Sequence, residues 1–588
     1  MNLKISTLIN NLKISASAHF QISALVIFFL LSMSLGNLFA QKTLDSMLII
    51  NIGEYKPTIM SASKMNANPT IIDSTKTLPV SAYSINSKKI NTNFAVEPIK
   101  PAVMVGEPLT KLYNSYVKLG MGTYTTPYGE LWINNLRSKD VSTGIRIKHL
   151  SSTYIPKDGR YAGFSDDEIS LSGKKMLKDH SLIGNFDYAR NLVHLLYGGY
   201  GDDAKIYSLK KDTTAQLFNL FSGNAEFKSQ YSNAKRLNHD VKLNYYNLSG
   251  PLNSSENNIK ATGMVQTAIG KQQIKINALV DYYNYKTVKD TVDKALKDYY
   301  KTVKDTVNNT IITLNPNYIA KGEKYSANLG FATTMDVFEK SKLYIYPNID
   351  FSYNVFENII IPYVGATGGL QKNSYKTLKD ANPLVRSELQ MQNSSTYEMF
   401  GGIRGTLSAT TSFNARVSYN NINNMAMFVN DTTGLQNKFI VIYDNAKVLN
   451  ITGEVAYQMR EKLRINLRGE YYSYTMQTQS RAWYKPQAKL TLSGNYNLRD
   501  KIVVKVDLFY LDNQYAKTSD ALVSGKIGEY KKLREVFNAN IGAEYRYTKN
   551  LGFFFNFNNI ANYQYYYYRW SNYPTQRFSL MAGLSYSF

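Results

Sequence analysis

The residues best suited to acyl-transfer chemistry form the run Lys148 to Ser152 (KHLSS). A histidine close to a serine can activate the serine hydroxyl as a nucleophile. His149 has two such neighbours in sequence, Ser151 and Ser152. Adjacent strand positions point to opposite faces, however, and a catalytic triad is defined by the geometry of three groups rather than by adjacency. The run by itself does not predict catalysis.

Metal chemistry has even less support in the sequence. No histidine has the spacing of a zinc-binding helix, and the chain contains no cysteine, which excludes a zinc–thiolate site. The acidic run Asp166, Asp167 and Glu168 could hold calcium in a loop, but such runs are more often solvated turns. We therefore predict no catalytic residue, no metal, no cofactor and no enzymatic activity.

The last twelve residues, Arg577 to Phe588 (RFSLMAGLSYSF), alternate with period two. One face of such a strand is apolar and the other is small and polar, as in a barrel strand between lipid and a wet lumen. The apolar face is the predicted signal for barrel assembly, with Phe578, Leu580, Leu584, Tyr586 and Phe588 as its residues. The alternative is an edge strand of a soluble sandwich.

The N-terminal 40 residues combine sparse positive charge, the apolar run Ala24 to Leu31 and a small residue at Ala40. This order is typical of a secretory signal peptide, and we expect cleavage before Gln41. An uncleaved anchor is the alternative. Residues 41–110 contain scattered prolines with many Ser, Asn and Lys residues, which predicts an extended or loosely structured segment that is periplasmic or intralumenal.

From residue 111 onward, alternating strand-length segments recur with turn signals between them. No apolar run after the leader reaches the roughly 18 residues of a membrane helix, so a membrane protein of this composition must be a closed barrel. Short polar turns (at 178–179, 460–462, 499–500 and 548–550) separate long connections (153–163, 193–212, 286–308, 373–394, 422–444, 515–534 and 564–576). We predict an all-β transmembrane barrel of about 22 antiparallel strands, with 20 as the alternative.

Charge and aromatic residues suggest where the barrel could bind other molecules. The formal net charge is +24, which in an exported protein favours anionic lipid, lipopolysaccharide or an anionic solute over nucleic acid. Arg464, Arg468 and Lys505 are the candidate basic residues of the lumen. The aromatic run Tyr563 to Trp570 lies between the last two strands, and we identify three of its residues as a candidate extracellular contact: Tyr565, Tyr568 and Trp570. An interfacial aromatic girdle is the alternative.

Three resemblances to known families can be recognised in the sequence. The C-terminal stretch Asn556 to Phe588 is similar to the end of TonB-dependent-receptor barrels. The segments Asn114 to Trp132 and Pro362 to Gln371 resemble a related group that begins with a short proline-containing segment instead of a plug. Separately, the pairing of His149 with nearby serines is similar to the Ser and His of outer-membrane phospholipases.

The resemblance to TonB-dependent-receptor barrels and to this related group implies an outer-membrane location and a receptor-like or transporter-like channel for an unidentified solute, without a full plug. The alternative is a non-transporting barrel that serves as a subunit of an assembly or secretion complex. The expected partners are outer-membrane lipids, lipopolysaccharide, the outer-membrane assembly machinery and an envelope partner protein, and no nucleic acid.

Overall fold

A closed antiparallel sheet of 22 strands dominates the computed structural model. The model describes residues 113–588 except 136–137, 139, 157–159, 197–213, 232–235, 271, 288–305, 339, 432–436, 518–529, 563–567 and 572. Each strand pairs with its neighbours in sequence, and the last strand returns to the first, which closes the barrel. The predicted fold class and the predicted count of 22 strands are confirmed. The predicted leader and N-terminal segment lie outside the described residues.

The strands have the following bounds in chain order. The first eleven are β1 (Ser115–Gly122), β2 (Thr126–Asn134), β3 (Val141–Ser152), β4 (Phe164–Met176), β5 (His180–His194), β6 (Ala215–Ser229), β7 (Asn238–Ser249), β8 (Ser255–Ile269), β9 (Gln272–Lys286), β10 (Thr306–Lys321) and β11 (Tyr325–Phe338). The next eight are β12 (Lys340–Tyr353), β13 (Ile361–Gln371), β14 (Ser394–Ser408), β15 (Thr411–Asn430), β16 (Phe439–Met459), β17 (Leu463–Met476), β18 (Ala488–Leu498) and β19 (Ile502–Leu511). The remaining barrel strands are β22 (Val536–Arg546), β23 (Leu551–Asn558) and β26 (Ser579–Ser587).

Short elements lie in the connections. Two small hairpins, β20 (Gln514–Lys517) with β21 (Tyr530–Leu533) and β24 (Tyr568–Trp570) with β25 (Tyr573–Pro574), form separate two-stranded sheets. The helix α1 (Tyr375–Ala381) lies between β13 and β14, and single 3₁₀ turns occupy Pro251–Asn253 and Ile560–Asn562. No helix of the described part of the chain is long and apolar enough to cross a membrane.

The two faces of the barrel wall differ as the alternation predicts. On β26, Leu584 and Tyr586 are exposed, as is Phe588 directly after the strand, whereas Ser585 is buried. The exposed face carries large apolar side chains on strand after strand, and this is the pattern of a lipid-facing surface. The other face carries charged residues that pair across strands, such as Arg146 with Glu168 at 2.8 Å. We assign that face to the lumen.

The two ends of the barrel differ in the length of their connections. The four predicted short turns all lie at one end, which is also where β1 begins and β26 ends. At the turn between β18 and β19, Arg499 and Asp500 both have positive φ (51° and 56°), and the Lys501 N–H donates to the Leu498 carbonyl at 3.0 Å. This is the geometry of a type I′ hairpin turn. The predicted long connections all lie at the opposite end, which we call the mouth.

Two predictions of local structure are wrong. The connection predicted at 422–444 is mostly strand, because β15 continues to Asn430 and β16 begins at Phe439. The acidic run Asp166 to Glu168 belongs to β4 and not to a loop or turn. In the strand, the Glu168 side chain pairs with Arg146 and that of Asp167 with Arg190, on opposite faces of the sheet. The three carboxylates therefore do not converge on one ion.

Candidate functional site

The mouth of the barrel contains a hydrophobic core of its own. Buried side chains from the connections and from the ends of β6, β7, β9, β15 and β16 form one continuous cluster, which includes Phe218, Tyr285, Met427, Phe439 and Trp483. A barrel wall between lipid and water has no need of such a core. The cluster therefore shows that the connections fold over the mouth and pack against one another.

The connection between β13 and β14, residues 372–393, lies at the centre of this cluster, and we call it the lid. Its helix α1 begins at a proper cap, since the Ser374 hydroxyl accepts a hydrogen bond from the Thr377 N–H at 3.4 Å. The helix is too short to be stable alone, so its stability depends on packing. Tyr375 and Leu378 supply that packing and are almost completely buried.

The lid contacts lumen-facing residues on strands far from its own. The Lys379 ammonium donates to the Asn191 amide oxygen on β5 at 3.3 Å and lies 4.9 Å from the ring centre of Phe218 on β6. The Tyr285 hydroxyl of β9 donates to the Ser387 carbonyl at 2.6 Å. Strands β7 to β12 separate β6 from β13 along the wall. The lid must therefore extend across the lumen.

The opposite edge of the lid is held by β16 and by the residue that directly follows β15. Val385 forms a parallel bridge with Phe439, and the Arg386 guanidinium donates to the Asp431 carboxylate at 2.6 Å. At its far end, the Asn393 amide donates to the Asp336 carboxylate of β11 at 3.0 Å. The lid is thus fastened on several sides of the mouth.

Burial sets the protonation behaviour of Lys379. Its side chain is 7% exposed, and loss of solvation lowers the pKa of this ammonium, while the neighbouring Asp380 partly opposes the shift. A lysine whose pKa is lowered on folding carries a desolvation penalty while it is charged. The penalty decreases as pH rises from the folded pKa towards the unfolded value. The contribution of Lys379 should therefore make lid closure more favourable at alkaline pH.

The ion pair between Lys372 and Asp281 fastens the base of the lid to β9. The Lys372 ammonium lies 2.7 Å from the Asp281 carboxylate, and the two side chains are 15% and 9% exposed. Removing one partner of a buried pair leaves the other charge unpaired, at a cost of about 3 kcal/mol. Opening of the lid exposes Asp281 to water and relieves that cost.

We therefore expect Lys372→Met to favour the open lid. Amide hydrogen exchange of residues 373–393 should accelerate by roughly 100-fold, because 1.4 kcal/mol corresponds to one decade. The double variant Lys372→Met/Asp281→Leu should restore most of the protection. Lys376→Met is the matched control, since its partner Asp380 is half exposed on the same helix. Equal exchange in the two single variants would show that the buried pair does not hold the lid.

The aromatic run before the last strand contributes to the same core. The Trp570 ring packs 4.9 Å from Tyr484 and 5.3 Å from Phe439, measured between ring centres. The Tyr573 hydroxyl donates to the Asn437 carbonyl and accepts from the Leu196 N–H, so this one group ties three connections together. Of the predicted aromatic contact residues, Tyr565 and the side chain of Tyr568 lie outside the described residues.

The candidate basic residues lie on the lumen face of β17 and β19. Arg468 donates to Glu470 at 2.9 Å, which neutralises it locally. Arg464 and Lys505 are exposed and flank Asn495 in one row across β17, β18 and β19. Neither has an ion-pair partner within the described part of the chain. Their attraction for an anion stays a prediction.

The candidate assembly residues lie at the seam that closes the barrel. Leu584 is opposite Leu119 of β1 and Phe553 of β23, and Tyr586 is opposite Val117. Backbone hydrogen bonds join Phe588 to Ser115 in both directions, at 2.9 and 3.0 Å. Leu580 lies on the same strand, and Phe578 immediately precedes it. Their recognition by assembly machinery stays a prediction.

Comparison with solved structures shows the same architecture in known receptors. The siderophore receptor PirA from Acinetobacter baumannii aligns with a TM-score of 0.61 over 82% of this chain and 81% of its own, at 10% identity. The FrpB iron transporter from Neisseria meningitidis gives 0.61, with 82% of each chain covered at 10% identity. The ferripyoverdine receptor of Pseudomonas aeruginosa, solved with ferripyoverdine bound, gives 0.57 over 82% and 72% at 12% identity.

These likenesses show the fold, which is a TonB-dependent-receptor-like barrel of the outer-membrane type. The similar proteins are transport receptors and not enzymes. No protein-family model and no curated protein matches the chain. The absence of a plug stays a prediction, because residues 1–112 lie outside the described part.

Proposed function

We propose that this chain is an outer-membrane receptor or transporter that binds a solute at its mouth and admits it to the lumen. The observation that carries the proposal is the lid, which crosses the lumen and is fastened to β5, β9, β11 and β16. A barrel of this diameter leaks unless something fills it. A covered mouth made of separate packed connections allows closure without a partner protein and opening when a ligand binds.

The resemblance to siderophore receptors supports a bulky solute rather than a small ion. Arg464 and Lys505 would favour an anionic solute further along the lumen. Lipids and lipopolysaccharide would surround the exposed apolar face, and the assembly machinery would recognise β26. The alternative, a non-transporting subunit of an assembly or secretion complex, has no specific observation in its favour.

Binding at the mouth can be tested by tryptophan fluorescence, because two of the three tryptophans lie there. Trp483 is fully buried in the mouth core and Trp570 packs against that core, whereas Trp132 lies on β2 in the barrel wall. Ferric siderophores of the catecholate and pyoverdine types are the probes. We expect saturable quenching that Trp570→Phe reduces at least about twofold and Trp132→Phe leaves nearly intact.

Quenching that is linear in probe concentration, or that depends mainly on Trp132, would contradict binding of these probes at the mouth. Copurification of the barrel with envelope proteins, together with an unresponsive mouth, would instead favour the alternative role.

A further inference from the structure

Three polar side chains on the outward face of β3 and β4 have the arrangement of a catalytic triad. The His149 Nδ1 atom lies 2.6 Å from the Asp167 Oδ1 atom, and the His149 Nε2 atom lies 3.1 Å from the Ser151 Oγ atom. An ionised carboxylate can only accept a hydrogen bond, so Nδ1 carries the imidazole proton and donates a hydrogen bond to Asp167. The Nε2 atom is then the acceptor for the Ser151 hydroxyl, as a general base must be.

The sheet itself produces this arrangement. His149 and Ser151 are two residues apart on β3, so they share a face, and Ser152 points to the other side. Asp167 is directly opposite His149 in the pairing of β3 with β4. The sequence pattern of β3 alone does not reveal the site, because the third residue, Asp167, comes from the next strand.

Asp167 is held on its second oxygen as well. The Arg190 guanidinium donates to Asp167 Oδ2 at 3.1 Å, and the Ser165 hydroxyl donates to the same atom at 3.3 Å. A carboxylate fixed at both oxygens keeps the imidazole in one orientation and one tautomer. Arg190 makes one hydrogen bond within the described residues, and that bond supports Asp167.

The site lies at the outer edge of the lipid-facing band. On β3, Ile145 and Ile147 precede His149 on the same outward face and are exposed, and Ile169 and Leu171 follow Asp167 on that face of β4. Ser151 is one residue from the end of β3 at the mouth side of the barrel. His149, Asp167 and Arg190 are 43%, 33% and 38% exposed. A membrane lipid can therefore reach the triad from the outer leaflet.

The surface beside His149 has room for a substrate. Gly129 of β2 is opposite His149, and a Cβ placed there would meet only Leu119 Cδ2, at 3.7 Å. Leu119 is itself 52% exposed on the same apolar face. The glycine leaves an open floor next to the imidazole, and apolar side chains continue from it into the membrane zone, where an acyl chain would lie.

We propose that Ser151, His149 and Asp167 form an acyl-hydrolase site for ester bonds of lipids in the outer leaflet. This activity goes beyond the transport role and takes place on the opposite side of the barrel wall. Ser151 and His149 are the catalytic residues, and Asp167 is a positioning residue.

The reaction follows the two steps of serine hydrolases. Ser151 Oγ bonds to the ester carbonyl carbon while His149 Nε2 accepts the hydroxyl proton. The tetrahedral intermediate expels the alcohol, which takes that proton from His149, and leaves the acyl group on Ser151. Water then attacks the acyl-enzyme, His149 accepts a proton from the water, and the proton returns to Ser151 as the fatty acid leaves.

The first test is labelling of the refolded full-length chain with a fluorophosphonate, which bonds to activated serines. We expect an adduct that peptide mass spectrometry assigns to Ser151. This result needs no variant. An adduct on a different serine, or none, would overturn the proposal.

The second test measures fatty-acid release from mixed phosphatidylethanolamine–phosphatidylglycerol vesicles. Ser151→Ala should lower the rate at least about 100-fold. Asp167→Asn should lower it and also change the pH profile, since the imidazole loses its orienting carboxylate. Ser142→Ala, on the lumen face of the same strand, is the matched control and should retain full activity. Vesicle binding without release, or release unaffected by Ser151→Ala, would mean that the cluster only contacts headgroups.

Discussion

Gly583→Val should lower the free energy of unfolding of the barrel by about 3 kcal/mol or more, because the new side chain would overlap the backbone of β1, which cannot move aside as a side chain can. A Cβ at Gly583 would lie 2.1 Å from the Leu119 carbonyl oxygen and 2.6 Å from the Gly120 Cα atom, both in the backbone of β1. Real Cβ contacts are essentially never below 3.0 Å. The two strands must separate to accept the new side chain, and the barrel then has unpaired edges.

The measurement is urea unfolding of the protein refolded into lipid vesicles, followed by the heat-dependent shift in gel mobility. Gly263→Val is the matched control, since it also lies within a strand and a Cβ there meets nothing within 4 Å. We expect the control to change stability by less than about 1 kcal/mol. If the two variants unfold at the same urea concentration, the close approach of β1 and β26 does not limit stability.

A second glycine at the seam, Gly120, faces the same aromatic ring as Gly583, whose Cβ would also lie 2.5 Å from the Phe554 Cε1 atom. A Cβ at Gly120 would lie 2.7 Å from the Phe554 Cζ atom, which is a side-chain contact. The Phe554 ring is almost completely buried against this glycine pair, with the Lys118 ammonium 4.1 Å from its centre. The seam is therefore tight on the lumen side because one aromatic ring covers it.

Excision of the lid should convert a closed barrel into an open pore. The Asn373 amide donates to the Gln392 carbonyl at 2.8 Å and to the Ser394 hydroxyl at 2.7 Å, so the two ends of the lid already lie together. Residues 375–391 can be replaced by two glycines without distorting β13 or β14. We expect single-channel conductance in a planar bilayer to rise about tenfold or more, because the chain that crosses the lumen is gone.

The N-terminal segment requires a matched set of four proteins. The set consists of residues 41–588, the same chain without residues 41–110, the chain without the lid, and the chain without both. Comparing their conductances shows whether the N-terminal segment or the lid closes the lumen. Large steady steps only when the lid is absent would assign closure to the lid. Steps in the chain that lacks only residues 41–110 would show that this segment, and not the lid, closes the barrel.

Local sequence determined the barrel wall. Alternation such as Leu551, Phe553, Phe555 and Phe557 against Gly552 and Asn556 identifies a two-faced strand, because side-chain direction in a strand has period two. Turn residues such as Arg499 and Asp500 identify the tight end of the barrel for an equally local reason. Strand count, topology and the difference between the two ends followed from these signals, and the structure confirms them.

The prediction failed where alternation is lost. Met427 and Phe428 are neighbours in β15, and both are buried, because this end of the strand packs within the mouth core and not between lipid and water. A strand buried on both sides has no period-two signal. Because this signal is missing around 422–444, the local sequence there predicts a connection and not a strand.

Only the tertiary structure determines which polar and charged side chains come into contact. Lys372 meets Asp281 across 91 positions of sequence, and Asp167 reaches His149 from the neighbouring strand. Such pairs depend on the register of strands and on the path of a connection, which local composition does not encode. The sequence by itself specifies a barrel with two faces and two ends. The closed mouth arises from contacts between residues far apart in the chain, and it requires the barrel to be closed before its groups can meet. The outward triad requires only the register of β3 with β4.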